Sequence, residues 1–248
     1  PFVAAGYTFF TIDPGEYVDN AADTDSLSVL QKKALLFRSS YGMEQNWEEL
    51  AALYMFQNND LDFGTFNSST VLRSVVKYGK AIQHTVRMYQ RLSQLKDSFD
   101  FEVSVDETDS PTTPFEHYFI ANELLRLGVN FTSLAPRFIG RFEKGVDYIG
   151  DLDALDAEIA KHAAVMAHFG TYKLSLHSGS DKFSVYPLIV KHCGGYLHVK
   201  TAGTSYLEAL RVLAVKEPAL FEQILALGLN NYPTDRATYH VSANIENV

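Results

Sequence analysis

Apolar and polar residues alternate along this chain in two periods, and the two periods take turns. Tyr7 to Ile12 is aromatic and β-branched and ends at Asp13-Pro14-Gly15, which predicts a strand closed by a turn. Asp25 or Ser26 can cap a helix running to about Phe37, and Trp47 to Phe56 reads as a second. Asn67 or Ser69 can open a long helix over Val71 to Leu95, with Val75, Val76, Ile82, Val86, Met88 and Tyr89 on its apolar face. The pattern then becomes regular. Strands are predicted at Phe99–Val105, Val129–Leu134, Lys173–Leu176 and Tyr196–Lys200. Helices are predicted at Phe115–Leu127, Leu152–Phe169, Pro187–His192, Tyr206–Val215 and Ala219–Leu227. Gly128 and Gly170 stop two of these helices, and Gly194-Gly195 turns the chain.

Strand, loop, helix, strand is the signature of parallel β/α units, so the expected class is α/β with a parallel, TIM-like (β/α) barrel in a single catalytic domain. Five strands are too few to close an eight-stranded barrel. Either weak strands lie in residues 57–70 or the remaining strands lie outside this chain. The chain begins at Pro1 rather than Met, which fits a processed chain or a piece of a longer one.

Composition narrows the function classes. Of 248 residues, 46% are hydrophobic and 21% charged, so a folded core is expected rather than disorder. The net charge of −9 argues against a nucleic-acid binder and against an anionic membrane surface, but not against a local basic pocket for an acidic small molecule. Cys193 is the single cysteine, which excludes an intrachain disulfide and suggests a reducing compartment. No apolar run reaches the length of a membrane span. Nothing in the pattern points to a particular oligomeric state.

The polar clusters fall at the C-terminal ends of the predicted strands, where parallel β/α folds place their chemistry. They are Asp106 with Glu107, His177 with Asp181 and Lys182, and His198 with Lys200. A carboxylate and two imidazoles suit an open site for a divalent transition metal, although no HExxH or CxxC spacing is present. A single His near a strand end is more often a hydrogen-bonded structural residue than a ligand, and Asp106-Glu107 could simply cap a loop. Ser178, Gly179 and Asp181 lie in a loop whose backbone N–H groups could approach an anion or sugar hydroxyls. Thr201 opens a second hydroxyl-rich turn through Ser205, with ordinary helix capping as the alternative. Asp13 is either a turn former or an acid/base. Arg137 is either a carboxylate clamp or the partner of an acidic residue at 151, 153 or 156. His84, His117, His162, His168, His192 and His240 are expected to be surface or packing residues.

Six segments then carry a resemblance: GYTFFTIDPGEYVDN from Gly6, VDETDSPTTPFEHYFIANELLRLGV from Val105, SLAPRFIGRFEKGVDYIGDL from Ser133, YKLSLHSGSDKFSVYP from Tyr172, LHVKTAGTSYLEALRV from Leu197 and ATYHVSA from Ala237. Over most of its length the chain resembles the tagaturonate epimerase family. The resemblance implies a metal-dependent, barrel-shaped, cytoplasmic enzyme that interconverts D-tagaturonate and D-fructuronate, a hexuronate pair. Members of that family are longer at both ends, which fits the count of five strands.

The two sugars differ at a carbon β to the ketone, so simple proton removal there is not activated by the carbonyl. Retro-aldol cleavage and re-addition is preferred over transient oxidation, because no GxGxxG nicotinamide fingerprint is present. On this reading Glu107, His177 and His198 hold a Zn, Mn, Co or Ni ion. Asp13, Asp106 and Lys182 are the catalytic candidates. Arg137, Lys200, Ser178, Gly179, Asp181 and Thr201 are the substrate-binding ones, and the three cations are interchangeable as partners of the substrate carboxylate or the developing oxyanion. A related metal-dependent isomerase or aldolase, or a non-catalytic sugar-acid-binding module, are the alternatives.

Overall fold

The computed structural model describes residues 1–40, 47–56, 67–201, 206–238, 242 and 244. The 57–66 stretch, the turn at 202–205 and His240 lie outside the described residues. Among the described residues five parallel strands form one sheet: β1 (Phe9–Ile12), β2 (Asp100–Val105), β3 (Ser133–Pro136), β4 (Lys173–Leu176) and β5 (Leu197–Val199). Their spatial order is their chain order. A doubly wound sheet reverses its order at a switch point, and this one does not.

The helices between the strands are α1 (Leu27–Ser40), α2 (Trp47–Phe56), α3 (Ser68–Ser93), α4 (Pro114–Arg126), α5 (Leu152–Phe169) and α6 (Tyr186–Cys193). After β5 come α7 (Tyr206–Lys216) and α8 (Pro218–Asp235). Local chemistry fixes their ends. Asn67 and Thr70 form a reciprocal capping box at α3, and Thr113 with Glu116 does the same at α4, with Pro114 in the first turn. Asp151 caps α5, and Gly170 ends it in the left-handed region at φ 65°.

Two expected boundaries move by four residues or more. The strand expected from Val129 begins at Ser133, because the Val129 N–H is still bonded back to Leu124 O at the end of α4 (2.9 Å). The last helix runs past Gly228 to Asp235, since a helical glycine costs only about 1 kcal/mol relative to alanine and need not stop a helix.

One face of the sheet is apolar. Phe101, Val103, Val105, Leu134, Leu174 and Leu176 join side chains of α3, α4, α5 and α6 in one core cluster. Successive strand residues point to opposite faces, so the residues between them lie on the other side. That face is polar and concave. On a flat sheet three strand spacings separate β2 from β5 by about 14 Å, yet Glu102 on β2 meets His198 on β5 at 2.6 Å. The sheet is therefore strongly curled. Among the described residues no helix is long and apolar enough to cross a membrane.

Candidate active site

The polar face is built around Glu102, which is fully buried. Register sets Thr11 of β1 and Ser133 of β3 opposite it. Its Oε2 accepts from Ser133 Oγ at 2.7 Å and from His198 Nδ1 at 2.6 Å. Thr11 Oγ1 reaches Oε1 at 3.4 Å, and the Lys200 ammonium lies 3.5 Å from the same oxygen. Ser175, the register partner of His198, places its Oγ 3.1 Å from His198 Nδ1.

Toward the C-terminal ends of the strands, Asp106 takes over as the hub. Its Oδ1 accepts from Ser104 Oγ, its Oδ2 lies 3.5 Å from His177 Nδ1, and Lys200 Nζ is 3.8 Å away. Lys200 also donates to Ser104 at 2.7 Å. His177 is buried between Phe138 and Phe142, and its Nε2 accepts from the Phe138 N–H at 3.4 Å. Burial pushes the His177 pKa down to about 4, with Asp106 opposing and Lys200, Arg137 and Lys182 assisting. The ring is therefore neutral near pH 7, with its proton on the nitrogen facing Asp106.

Asp13 closes the group from the end of β1. Its Oδ1 accepts from the Gly15 N–H at 2.9 Å. A Cβ on Gly15 would lie 3.1 Å from Asp13 Oδ1 and 3.3 Å from Glu107 O, so a larger residue would fit only if these neighbours gave way by a few tenths of an ångström. Burial, then the charge of Asp106, raises the Asp13 pKa. Glu107 is raised first by the charge of Asp13 and then by burial. Asp13, Asp106 and Glu107 thus repel one another, and Lys200 offsets the repulsion at Asp13 and Glu107. Arg137 lies near enough to His177 to depress its pKa and makes no ion pair among the described residues. Two of the acidic partners considered for it are otherwise engaged: Asp151 caps α5, and Asp156 binds Lys191 and His192 at 2.7 Å each.

Other expected site residues are placed differently. Lys182 is fully buried, and its Nζ donates to three carbonyls, Glu143 O at 2.6 Å, Val146 O at 2.7 Å and Ser180 O at 2.9 Å. An ammonium has three N–H bonds, so none is left for substrate. Gly179 donates its N–H to Lys200 O at 2.8 Å, and a Cβ on it would sit 2.5 Å from Val199 Cγ1. Its smallness lets the β4 loop press against β5 and anchor Lys200. Ser178 and Asp181 adopt positive φ, 46° and 61°, in this same loop. Thr201 is exposed beyond the strand end. His117 and His162 form a buried pair, Nδ1 to Nδ1 at 2.9 Å, away from the polar face. A cavity of about 650 Å³ lies elsewhere, beside α3, α4 and α5, and Arg73, Lys77 and Glu158 are among the side chains that line it.

The fit to a metal ion is partial. His198 turns Nδ1 to a carboxylate, the arrangement that holds a ligating imidazole in place. His177 has both ring nitrogens engaged, and Glu107 is exposed. Among the described residues no group of three or more His, Cys, Asp or Glu side chains is placed to share an ion.

Glu102, Ser104, Ser133 and Ser175 were not singled out by sequence reasoning. A signal was there: Phe101 to Asp106 alternates apolar and polar at every step, which on a strand gathers Glu102, Ser104 and Asp106 on one face.

The family model for tagaturonate epimerase (UxaE) matches residues 2–248. A tagaturonate/fructuronate epimerase of Thermotoga maritima is 43% identical over 245 residues, covering 98% of this chain and 49% of that protein. The native crystal structure of fructuronate-tagaturonate epimerase UxaE from Cohnella laeviribosi superposes with a TM-score of 0.89 at 38% identity, over 100% of this chain and 50% of that one. A structure of the same enzyme complexed with two glycerols gives 0.89 at 37%, again over 100% of this chain and 50% of that one. The chain spans about half the length of the relatives it matches. With a family match from end to end and a curled parallel sheet whose polar face converges at its C-terminal ends, this chain belongs to the tagaturonate epimerase family.

Proposed function

We propose that this chain carries part of the active site of a cytoplasmic enzyme that interconverts D-tagaturonate and D-fructuronate. The five strands would form the wall of a TIM-like (β/α) barrel, with the polar face as its interior. The observation that supports the site is the cluster of Asp13, Asp106, Glu107, His177 and Lys200 at the C-terminal ends of β1, β2, β4 and β5, with His198 beneath it within β5.

The chemistry is retro-aldol. A base takes the proton of the hydroxyl on the carbon β to the ketone. The bond between that carbon and its α neighbour breaks, giving an aldehyde and an enediolate. The aldehyde rotates, the enediolate adds to its other face, and the proton returns to the new alkoxide. Atoms and electrons balance with no external oxidant.

In this scheme Asp13 is the base. One of its oxygens is held by Gly15, and burial and Asp106 raise its pKa toward the range where it can take and return a proton. Asp106 holds His177 and lies beside Lys200, and Glu107 stands next to Asp13 as a second proton carrier. Lys200 places positive charge where the enediolate forms. Arg137 binds the substrate carboxylate, for which a guanidinium offers two parallel hydrogen bonds. Ser178, Asp181 and Thr201 lie in the segments that follow β4 and β5 and are the further candidates for contacts to the sugar hydroxyls. Lys182 and Gly179 act on the site through the loop they hold.

A divalent transition metal (Zn, Mn, Co or Ni) belongs to the same proposal and would polarise the ketone. His198 fits as a ligand where it stands, and Glu107 and His177 would join it only by turning their side chains. The test is to incubate the full-length protein with D-tagaturonate and follow the sugars by NMR. D-fructuronate should accumulate to an equilibrium reached from either side. Folded, metal-supplemented protein that yields none overturns the reading.

A further inference from the structure

Glu102 is a carboxylate at zero exposure in the middle of a strand, where leaving it unpartnered would cost several kcal/mol. It is instead gripped from three other strands. Thr11 reaches it from β1, Ser133 from β3, His198 from β5, and Lys200 from just beyond β5. None of this is needed for helix packing, which occupies the opposite face of the sheet.

We propose that Glu102 is the positioning residue of the site: it fixes His198 with its proton on Nδ1 and its lone pair on Nε2, and it holds Lys200 beside Asp106. The argument is one of donors and acceptors. A carboxylate oxygen only accepts, so the ring nitrogen 2.6 Å from Oε2 must be the one that carries hydrogen. Ser175 Oγ, 3.1 Å from the same nitrogen, could donate to the opposite tautomer. That tautomer would set a nitrogen lone pair against the carboxylate, so Glu102 decides the matter. Nε2 makes no hydrogen bond among the described residues, and the side chain keeps 32% of its surface exposed. It can therefore meet a substrate proton or an ion. This inference rests on the proposed function for its catalytic meaning, but not for its geometry.

The test uses 15N-labelled full-length protein at a pH where the imidazole is neutral, with the His198 signals assigned by His198→Gln. Two-bond nitrogen–proton correlations should show wild-type His198 protonated at Nδ1. In Glu102→Gln the replacement amide can donate as well as accept, and the Nε2–H form should appear. Glu102→Asp keeps an acceptor and should keep the Nδ1–H form. With D-tagaturonate, Glu102→Gln should lower kcat about 10-fold or more while KM stays within about 3-fold. An Nε2–H ring in wild type, or an unchanged Nδ1–H ring in Glu102→Gln, overturns the proposal. So does a Glu102→Gln protein with lowered Tm but unaltered kcat. If Glu102→Gln does not fold, the wild-type and Glu102→Asp spectra decide. If wild-type protein is folded but turns over neither sugar, the epimerase reading fails while the tautomer result still stands.

Discussion

The rings of Phe9 on β1 and His198 on β5 lie 5.1 Å apart between centroids, although three strands separate them in the sheet. Side chains from the two edges can meet only because the sheet curls about its polar face. That curl makes residues distant in sequence into one site. Asp13, Asp106, His177 and Lys200 each follow the end of a different strand.

If Asp13 moves the hydroxyl proton, Asp13→Asn should lower kcat by about 10²–10⁴-fold, the range for loss of a positioned acid/base. Substrate affinity measured by calorimetry should stay within a few-fold. Near-normal turnover removes Asp13 from the reaction.

Lys200 lowers the pKa of both Asp13 and Glu107. A base that works as its anion loses activity as pH falls through its pKa. Taking the cation away raises that pKa, so Lys200→Met should move the acid limb of the kcat profile to higher pH. The check is the pH profile of the variant against wild type, and an acid limb that stays put contradicts it.

Arg137 and Lys182 should separate cleanly. Arg137→Lys keeps charge but loses the planar fork, and KM should rise about 10- to 100-fold, as expected for losing one charge-assisted hydrogen bond. Lys182→Met strips three carbonyls of their donor and should cost about 1–3 kcal/mol. It should appear as a lower Tm with KM unchanged.

His177 has a folded-state pKa of about 4, below the ordinary 6.5. Between those values the unfolded chain binds a proton that the folded chain refuses. Stability is therefore lost as pH falls from 6.5 toward 4, and His177 makes no demand above that window. His162, at about 3, acts in the same direction. Glu158, raised by burial to about 7, acts in the opposite one, its contribution being lost as pH rises through 7. Urea titrations of His177→Gln should show a shallower fall below pH 6.5, by up to one proton.

The parallel α/β class, the five strands and most helix ends were legible in the sequence, because each rests on local signals. Asn67, Thr113 and Asp151 announce their caps, and the alternation of Phe101 to Asp106 announces a two-faced strand. The strand pattern also gathered Asp106, His177, His198 and Lys200, and the structure sets them on one face of the sheet. What local pattern does not carry is which way a cation turns. Lys182 and Lys200 look alike in sequence, yet one is spent on backbone carbonyls and the other faces carboxylates. The alternation sets Glu102 on the polar face but does not carry its role: its partners come from β1, β3 and β5, and only the curl of the sheet brings them all within reach.

The proposal that the concave polar face is the reaction site is most directly tested by a crystal structure of the full-length, base-disabled Asp13→Asn protein with D-tagaturonate bound. The expected density places the sugar carboxylate on Arg137, with the ketone and its β-hydroxyl between Asn at position 13, Asp106 and Lys200. A sugar bound instead in the cavity beside α3, α4 and α5, or anywhere that leaves the polar face empty, contradicts it.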